Sequence, residues 1–144
     1  MSMIRMSAFA TAVAAIALGL GGAAEINDEL VHASFEQVVE ETGMPVGWST
    51  WSTPSAAAYS LADARTGVAC VAILDESAEK SHGLRSEPVR IEPGAVYRAS
   101  VWTKILGGDK PGAAVYLEFW IGKTRVADYS AGIGEADEWT EIAA

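Results

Sequence analysis

The chain has a single cysteine among its 144 residues, which excludes an intramolecular disulfide. A hydrophobic core must therefore stabilise the fold in place of covalent cross-links. Cys70 lies in the apolar segment GVACVAIL, where a small hydrophobic side chain is expected to be buried. A nucleophilic cysteine needs a nearby histidine and an electropositive setting, and this segment supplies neither. We therefore expect Cys70 to be structural.

Basic residues are few as well, with 10 Lys and Arg against 19 Asp and Glu and a net charge of −9. Nucleic-acid binding depends on clustered Lys and Arg, and the sequence contains no basic stripe, so we predict no nucleic-acid partner. The only two histidines, His32 and His82, have no third ligand at metal spacing, which argues against a zinc site. The acidic residues lie mostly in polar loops and termini, so the carboxylate pair of a glycosidase is not evident and we predict no enzymatic activity.

The apolar run nearest the N-terminus covers residues 8–20 and is only 13 residues long. Arg5 precedes this run and GGAA follows it, which is the pattern of a secretory signal peptide cleaved after Ala24. The run is too short and too rich in alanine to favour a membrane span, and an uncleaved N-terminal anchor is the alternative. We therefore predict a signal peptide over 1–24 and an exported domain over 25–144, either secreted or periplasmic, without membrane contact after cleavage.

No helical periodicity extends over three turns in residues 25–144. Short β segments alternate instead with Gly- and Pro-rich turns, which predicts a single all-β sandwich or barrel. Segment 37–51 is interpreted as a loop or a short irregular strand, and Pro88 implies an edge, a bulge or a break. The clearest strands are 96–106 and 113–121, and the others are 30–36, 56–64, 68–74, 84–92, 124–133 and 138–143.

Strand 113–121 alternates between an apolar face and a second face with two large rings around a carboxylate. Because successive side chains of a strand point to opposite faces, Tyr116, Glu118 and Trp120 share that second face. The same alternation places Arg98 and Trp102 together on strand 96–106. If the two strands pair as a hairpin, these five side chains form one surface suited to stacking and orienting a sugar.

Packing is the alternative to ligand binding for this surface. Trp102 would then lie beneath a loop, and Arg98 and Glu118 would form an ordinary cross-strand ion pair. Trp48 is expected to pack against the core, whereas for Trp51 packing and ligand contact are equally expected.

The order of several motifs resembles one known family, the carbohydrate-binding modules of the family four/nine type within the galactose-binding-like jelly rolls. These motifs are HASFEQ, GMPVGWSTW, TGVACVAI, SEPVRIEPGAVYRASVWTK and AVYLEFW, and the resemblance covers the chain from about residue 31 onward. The strongest match is to a V-x-P-G-x-x-Y-x-x-S-x-W-x-K pattern, and it consists of Val89, Pro93, Gly94, Tyr97, Ser100, Trp102 and Lys104.

The resemblance implies a non-catalytic jelly-roll sandwich of two antiparallel sheets, carried by a polysaccharide-active enzyme or a cell-surface protein. In the family a further strand follows the one like EWTEI, so this domain is expected to be C-terminally incomplete and a further domain can follow in the same chain. Some members bind a structural calcium ion, and Glu36 matches one of the two acidic positions. One carboxylate does not make a calcium site, so we predict no cofactor, with a structural calcium ion at Glu36 as the alternative.

The sequence thus predicts an exported module that binds a polysaccharide or oligosaccharide without catalysis. A structural or protein-interaction sandwich without a sugar site is the alternative. The predicted contact residues are Trp102, Tyr116, Trp120, Arg98, Glu118 and Trp51.

Overall fold

The computed structural model describes residues 7–18, 34–51, 57–60, 63–74, 82–91, 95–108, 111–134 and 136–144, with the backbone alone for 7–18 and 57–60. Within these ranges every regular element is a β-strand, which confirms the predicted all-β class. The same ranges contain no helix that is long and apolar enough to cross a membrane. The strands are β1 Ser7–Leu18, β2 Val38–Val39, β3 Met44–Pro45, β4 Trp48–Thr50, β5 Ala57–Ser60, β6 Cys70–Ile73, β7 Leu84–Ser86, β8 Val96–Lys104, β9 Ala113–Ile121, β10 Thr124–Ile133 and β11 Thr140–Ala143.

The largest sheet has five antiparallel strands in the order β11-β8-β1-β6-β5. Strand β1 is central and pairs with β8 on one side and β6 on the other. This strand lies inside the predicted signal peptide, whose residues 1–6 and 19–24 are outside the described ranges. Removal of 1–24 during export stays a prediction.

Strands β9 and β10 form a separate hairpin through the two-residue turn Gly122–Lys123. Glu118 lies opposite Asp128 in this hairpin, and a register shift follows Arg125. Two short ribbons, β2 with β3 and β4 with β7, complete the strand pairing seen in the described ranges. Several antiparallel sheets without a helix are consistent with a β-sandwich.

The predicted hairpin of strands 96–106 and 113–121 is wrong. β8 and β9 are in contact, with the rings of Tyr97 and Phe119 6.3 Å apart, but they belong to different sheets. The connection between them turns inward because Ile105 is buried against Ala136 and its amide donates a 2.6 Å hydrogen bond to the Ala136 carbonyl. The chain therefore crosses from one sheet to the other at Ile105 and does not reverse within one sheet.

A second apolar cluster centres on Phe35 and Val71, with Trp48, Ile73 and Leu84 packed against it. The ring of Trp48 lies 4.9 Å from that of Phe35, as the packing interpretation of Trp48 predicts. The Cys70 side chain is fully buried, again as predicted.

The predicted first strand covers residues 30–36, of which the structure describes 34–36. The prediction is wrong there, because these three residues form a turn and irregular backbone. Residues 30–33 and the pattern residues Pro93 and Gly94 lie outside the described ranges. Segment 84–92 is a strand only over Leu84–Ser86, and it ends before Pro88, which lacks an amide donor. Strands 113–121 and 124–133 have the predicted bounds.

Candidate functional site

Three large aromatic side chains are exposed on one face of the β9–β10 hairpin or beside it. Trp51, Tyr116 and Trp120 are 42%, 46% and 45% exposed, respectively. Tyr116 and Trp120 lie on the same face of β9, and the ring of Trp51 reaches Tyr116 at 5.5 Å with a tilt of 59°. The Trp51 amide donates a 3.1 Å hydrogen bond to the Gly83 carbonyl, which fixes the chain just after β4. We call these three residues and Glu118 the aromatic face.

Glu118 lies between the two rings of β9, and its carboxylate is held from two sides. One oxygen, Oε1, accepts a 2.8 Å hydrogen bond from Arg125 Nη1, and Oε2 accepts a 3.3 Å bond from Trp120 Nε1. Only 15% of the Glu118 side chain is exposed. The hydrogen bond to Glu118, followed by the charge of Asp128, raises the pKa of Arg125 above its ordinary value. The carboxylate is therefore fixed in position and its charge is neutralised by a neighbour.

A second arginine, Arg85 of β7, approaches the same face from the β4–β7 ribbon. Its Nη2 is 3.8 Å from Glu118 Oε2, and its guanidinium carbon is 5.9 Å from the centre of the Trp120 ring. Pairing of Ser49 with Arg85 places this arginine on the same side of the molecule as Trp51. The aromatic face therefore has two cations in contact with it, Arg85 and Arg125.

Neither arginine was predicted from the sequence. Arg125 could have been found, since a two-residue turn at Gly122–Lys123 pairs Ile121 with Thr124 and hence Trp120 with Arg125. Arg85 depends on the pairing of β4 with β7, whose nearest ends, Thr50 and Leu84, are 34 residues apart, and no local pattern indicates that pairing.

The structure brings four of the six predicted contact residues together and leaves Arg98 and Trp102 elsewhere. Tyr97 of β8 faces Phe119 of β9, so the alternation of β8 directs Arg98 and Trp102 to the opposite side of the strand, away from the hairpin. Arg98 donates hydrogen bonds to Glu141 Oε1 at 3.0 Å and to Ser100 Oγ at 3.3 Å, and the expected ion pair with Glu118 does not form.

Trp102 lies beneath a loop, as the packing alternative predicts. The guanidinium carbon of Arg65 is 3.5 Å from the centre of the Trp102 ring, which is stacking distance. Lys104 Nζ contacts Asp63 Oδ2 at 2.6 Å and ties the start of the same loop to β8. Loop 63–69 therefore covers the ring that would have stacked on a sugar.

Glu36, the residue considered for calcium, binds the backbone of this same loop. Its two carboxylate oxygens lie 3.3 and 3.2 Å from the Val68 amide, which donates to them. In the part of the chain that the structure describes, no group of three or more His, Cys, Asp and Glu side chains could hold a metal ion.

Comparison with known proteins adds no further assignment. A scan against protein-family models, a search of curated proteins and a search of solved structures each found no match.

Proposed function

We propose that this protein is an exported, non-catalytic carbohydrate-binding module with a galactose-binding-like jelly-roll fold. The aromatic face is its binding site. The observation that carries the proposal is the grouping of Trp51, Tyr116 and Trp120, each nearly half exposed, around the fixed carboxylate of Glu118.

This grouping suits the chemistry of a sugar ring. A pyranose presents C–H groups on its faces, which pack on aromatic rings, and hydroxyl groups at its rim, which bond to charged side chains. Clusters of exposed apolar side chains on a soluble protein mark binding surfaces more often than isolated ones do. A carboxylate has about four lone-pair sites, and Glu118 uses two of them in its hydrogen bonds to Arg125 and Trp120. Glu118 can therefore still accept a bond from a sugar hydroxyl at its exposed edge.

The spacing of the rings favours an oligosaccharide over a monosaccharide. Tyr116 and Trp120 are four residues apart on a strand, which corresponds to about 13 Å along β9. A single pyranose cannot stack on both rings, whereas several units of a chain laid along the strand can. Affinity should therefore rise from the monosaccharide to a longer oligomer, as measured by isothermal titration calorimetry.

The test of the proposal is affinity electrophoresis of the full chain over a panel of soluble polysaccharides. The wild type should be retarded by at least one glycan, and Trp120→Ala should lose most of that retardation. Tyr129→Ala is the matched control, since Tyr129 is 62% exposed on the other face of the same hairpin. Equal mobility of the wild type and Trp120→Ala on every glycan would reject the proposal.

A protein-interaction module without a sugar site is the second candidate. It is favoured by three exposed apolar side chains of the hairpin, Ile121, Val126 and Tyr129, at 72%, 55% and 62% exposure. Tryptophan fluorescence distinguishes the two candidates. Sugars should change the emission and its quenching if the aromatic face binds them, and should leave both unchanged if the module only docks a protein.

A further inference from the structure

Arg85 has a guanidinium group that remains available for a ligand. Among the described residues its nearest acidic atom is Glu118 Oε2 at 3.8 Å, which is beyond hydrogen-bond distance, and 53% of its side chain is exposed. Its guanidinium donates no hydrogen bond to any described residue, and the one side-chain bond at this residue goes to its backbone carbonyl, from Ser49 Oγ.

The two arginines of the aromatic face thus differ in their roles. Arg125 contacts Glu118 at 2.8 Å and Asp128 at 3.9 Å, so its charge is balanced within the hairpin. Glu118 is closer to Arg125 than to Arg85, and it also accepts a hydrogen bond from Trp120. Within the part of the chain that the structure describes, Arg85 is therefore the cation of this surface with the fewest partners for its charge and its donors.

The position of Arg85 relates it to the sugar that would stack on Trp120. Its guanidinium carbon lies over the Trp120 ring at 5.9 Å from the ring centre, so Arg85 borders the space in which a sugar would stack and is within reach of that sugar's substituents. A guanidinium is a planar fork of donors that matches a carboxylate in a bidentate pair, and hydrogen bonds between ionised partners are stronger than neutral ones.

We propose that the ligand of the aromatic face is an acidic glycan, with the carboxylate of a uronic acid unit bound by Arg85 while its ring stacks on Trp120. This inference rests on the proposed function and names its ligand class. The overall charge of −9 does not oppose it at contact distance, since exposed charges farther than about 8 Å are largely screened at physiological ionic strength.

The experiment compares hexasaccharides that differ only in charge. The full chain is titrated calorimetrically with hexamers of a β-linked glucuronan and of an α-linked galacturonan, each beside its carboxyl-reduced neutral form. We expect at least one acidic hexamer to bind about tenfold or more tighter than its neutral form, and added salt to reduce that difference.

Variants of Arg85 assign the preference to this side chain. Arg85→Gln should abolish the preference for the acidic form and retain binding of the neutral one, and Arg85→Lys should restore only part of it because lysine lacks the planar fork. Arg90→Gln, which removes an exposed arginine outside the aromatic face, is the control and should behave as the wild type. Urea denaturation of each variant verifies that it is folded.

Two results would overturn the inference while leaving the proposed function intact. One is equal affinity for acidic and neutral hexamers, or binding of neutral glycans alone. The other is a preference for the acidic form that persists in Arg85→Gln. Absence of binding to every glycan would instead reject the proposed function, and the inference with it.

Discussion

Replacing Gly67 with alanine would place a methyl group on the carboxylate of Glu36. Gly67 has a φ of +68°, a conformation that side chains rarely adopt, and a Cβ built there overlaps Glu36 Oε1. Gly43 provides a matched comparison, because its φ is +67° and a Cβ built there has no atom within 4 Å. The two substitutions therefore share the backbone strain and differ in the collision with Glu36.

The magnitudes follow from these contacts. A left-handed backbone costs an alanine about 1–2 kcal/mol, partly offset by about 0.4–1 kcal/mol from the reduced entropy of the unfolded chain. Gly43→Ala should therefore lower the free energy of unfolding by about 1 kcal/mol. Gly67→Ala must also displace Glu36 from the Val68 amide, and this exposed charge-assisted bond adds about 1 kcal/mol or more.

Urea denaturation followed by tryptophan fluorescence measures both free energies of unfolding. We expect Gly67→Ala to be the more destabilised by about 1 kcal/mol or more. In a Glu36→Ala background the collision is relieved, so Gly67→Ala should then cost about as much as Gly43→Ala. Equal destabilisation by the two substitutions in the wild-type background would refute the contact between Glu36 and loop 63–69.

Three further predictions concern single side chains. Trp120→Ala should weaken glycan binding by about 1–2 kcal/mol, or five- to thirtyfold. The Trp120 residue is 45% exposed, which leaves roughly 90 Å² of its surface to be covered by a sugar. Tyr129→Ala should leave the affinity unchanged. Arg98 donates a hydrogen bond to Glu141 and lowers the pKa of that carboxyl below its ordinary 4.5. The stabilisation from this pair is therefore complete above about pH 4.5, and it is lost as the pH falls through the lowered pKa of Glu141 in the folded protein. Arg98→Gln should return the pKa of Glu141 toward 4.5 in a carboxyl-carbon NMR titration, and an unchanged value would contradict this cause. The buried thiol of Cys70 should react with a disulfide reagent far more slowly in the native protein than in urea, and equal rates would contradict its burial.

The strands that the sequence predicts best are those with local alternation and clear turns. The bounds of β9 and β10 agree with the prediction because both strands are flanked by glycines and alternate along their length. The same alternation correctly places Tyr116, Glu118 and Trp120 on one face. These features depend on neighbours along the chain, which a sequence displays directly.

The partners of the strands could not be predicted in the same way. Strand β9 pairs with β10 across two residues, and this short turn prevails over the longer connection to β8 that the sequence interpretation used. Arg98 and Trp102 were assigned to the site because a hairpin of β8 and β9 would place them beside Glu118. Without that hairpin the assignment fails. Arg85 reaches the aromatic face only through the pairing of β7 with β4, a contact between distant segments that alternation does not indicate.

The central position of β1 has a consequence for export. Cleavage after Ala24 would remove the strand that joins β8 to β6, and each of these would be left with a row of unsatisfied backbone donors and acceptors. The mature domain would either leave both edges to water or close the gap, by joining β8 directly to β6 or by inserting another strand between them. The precursor and the processed protein would then differ in sheet topology, and closing the gap would make maturation a refolding step as well as a proteolytic one.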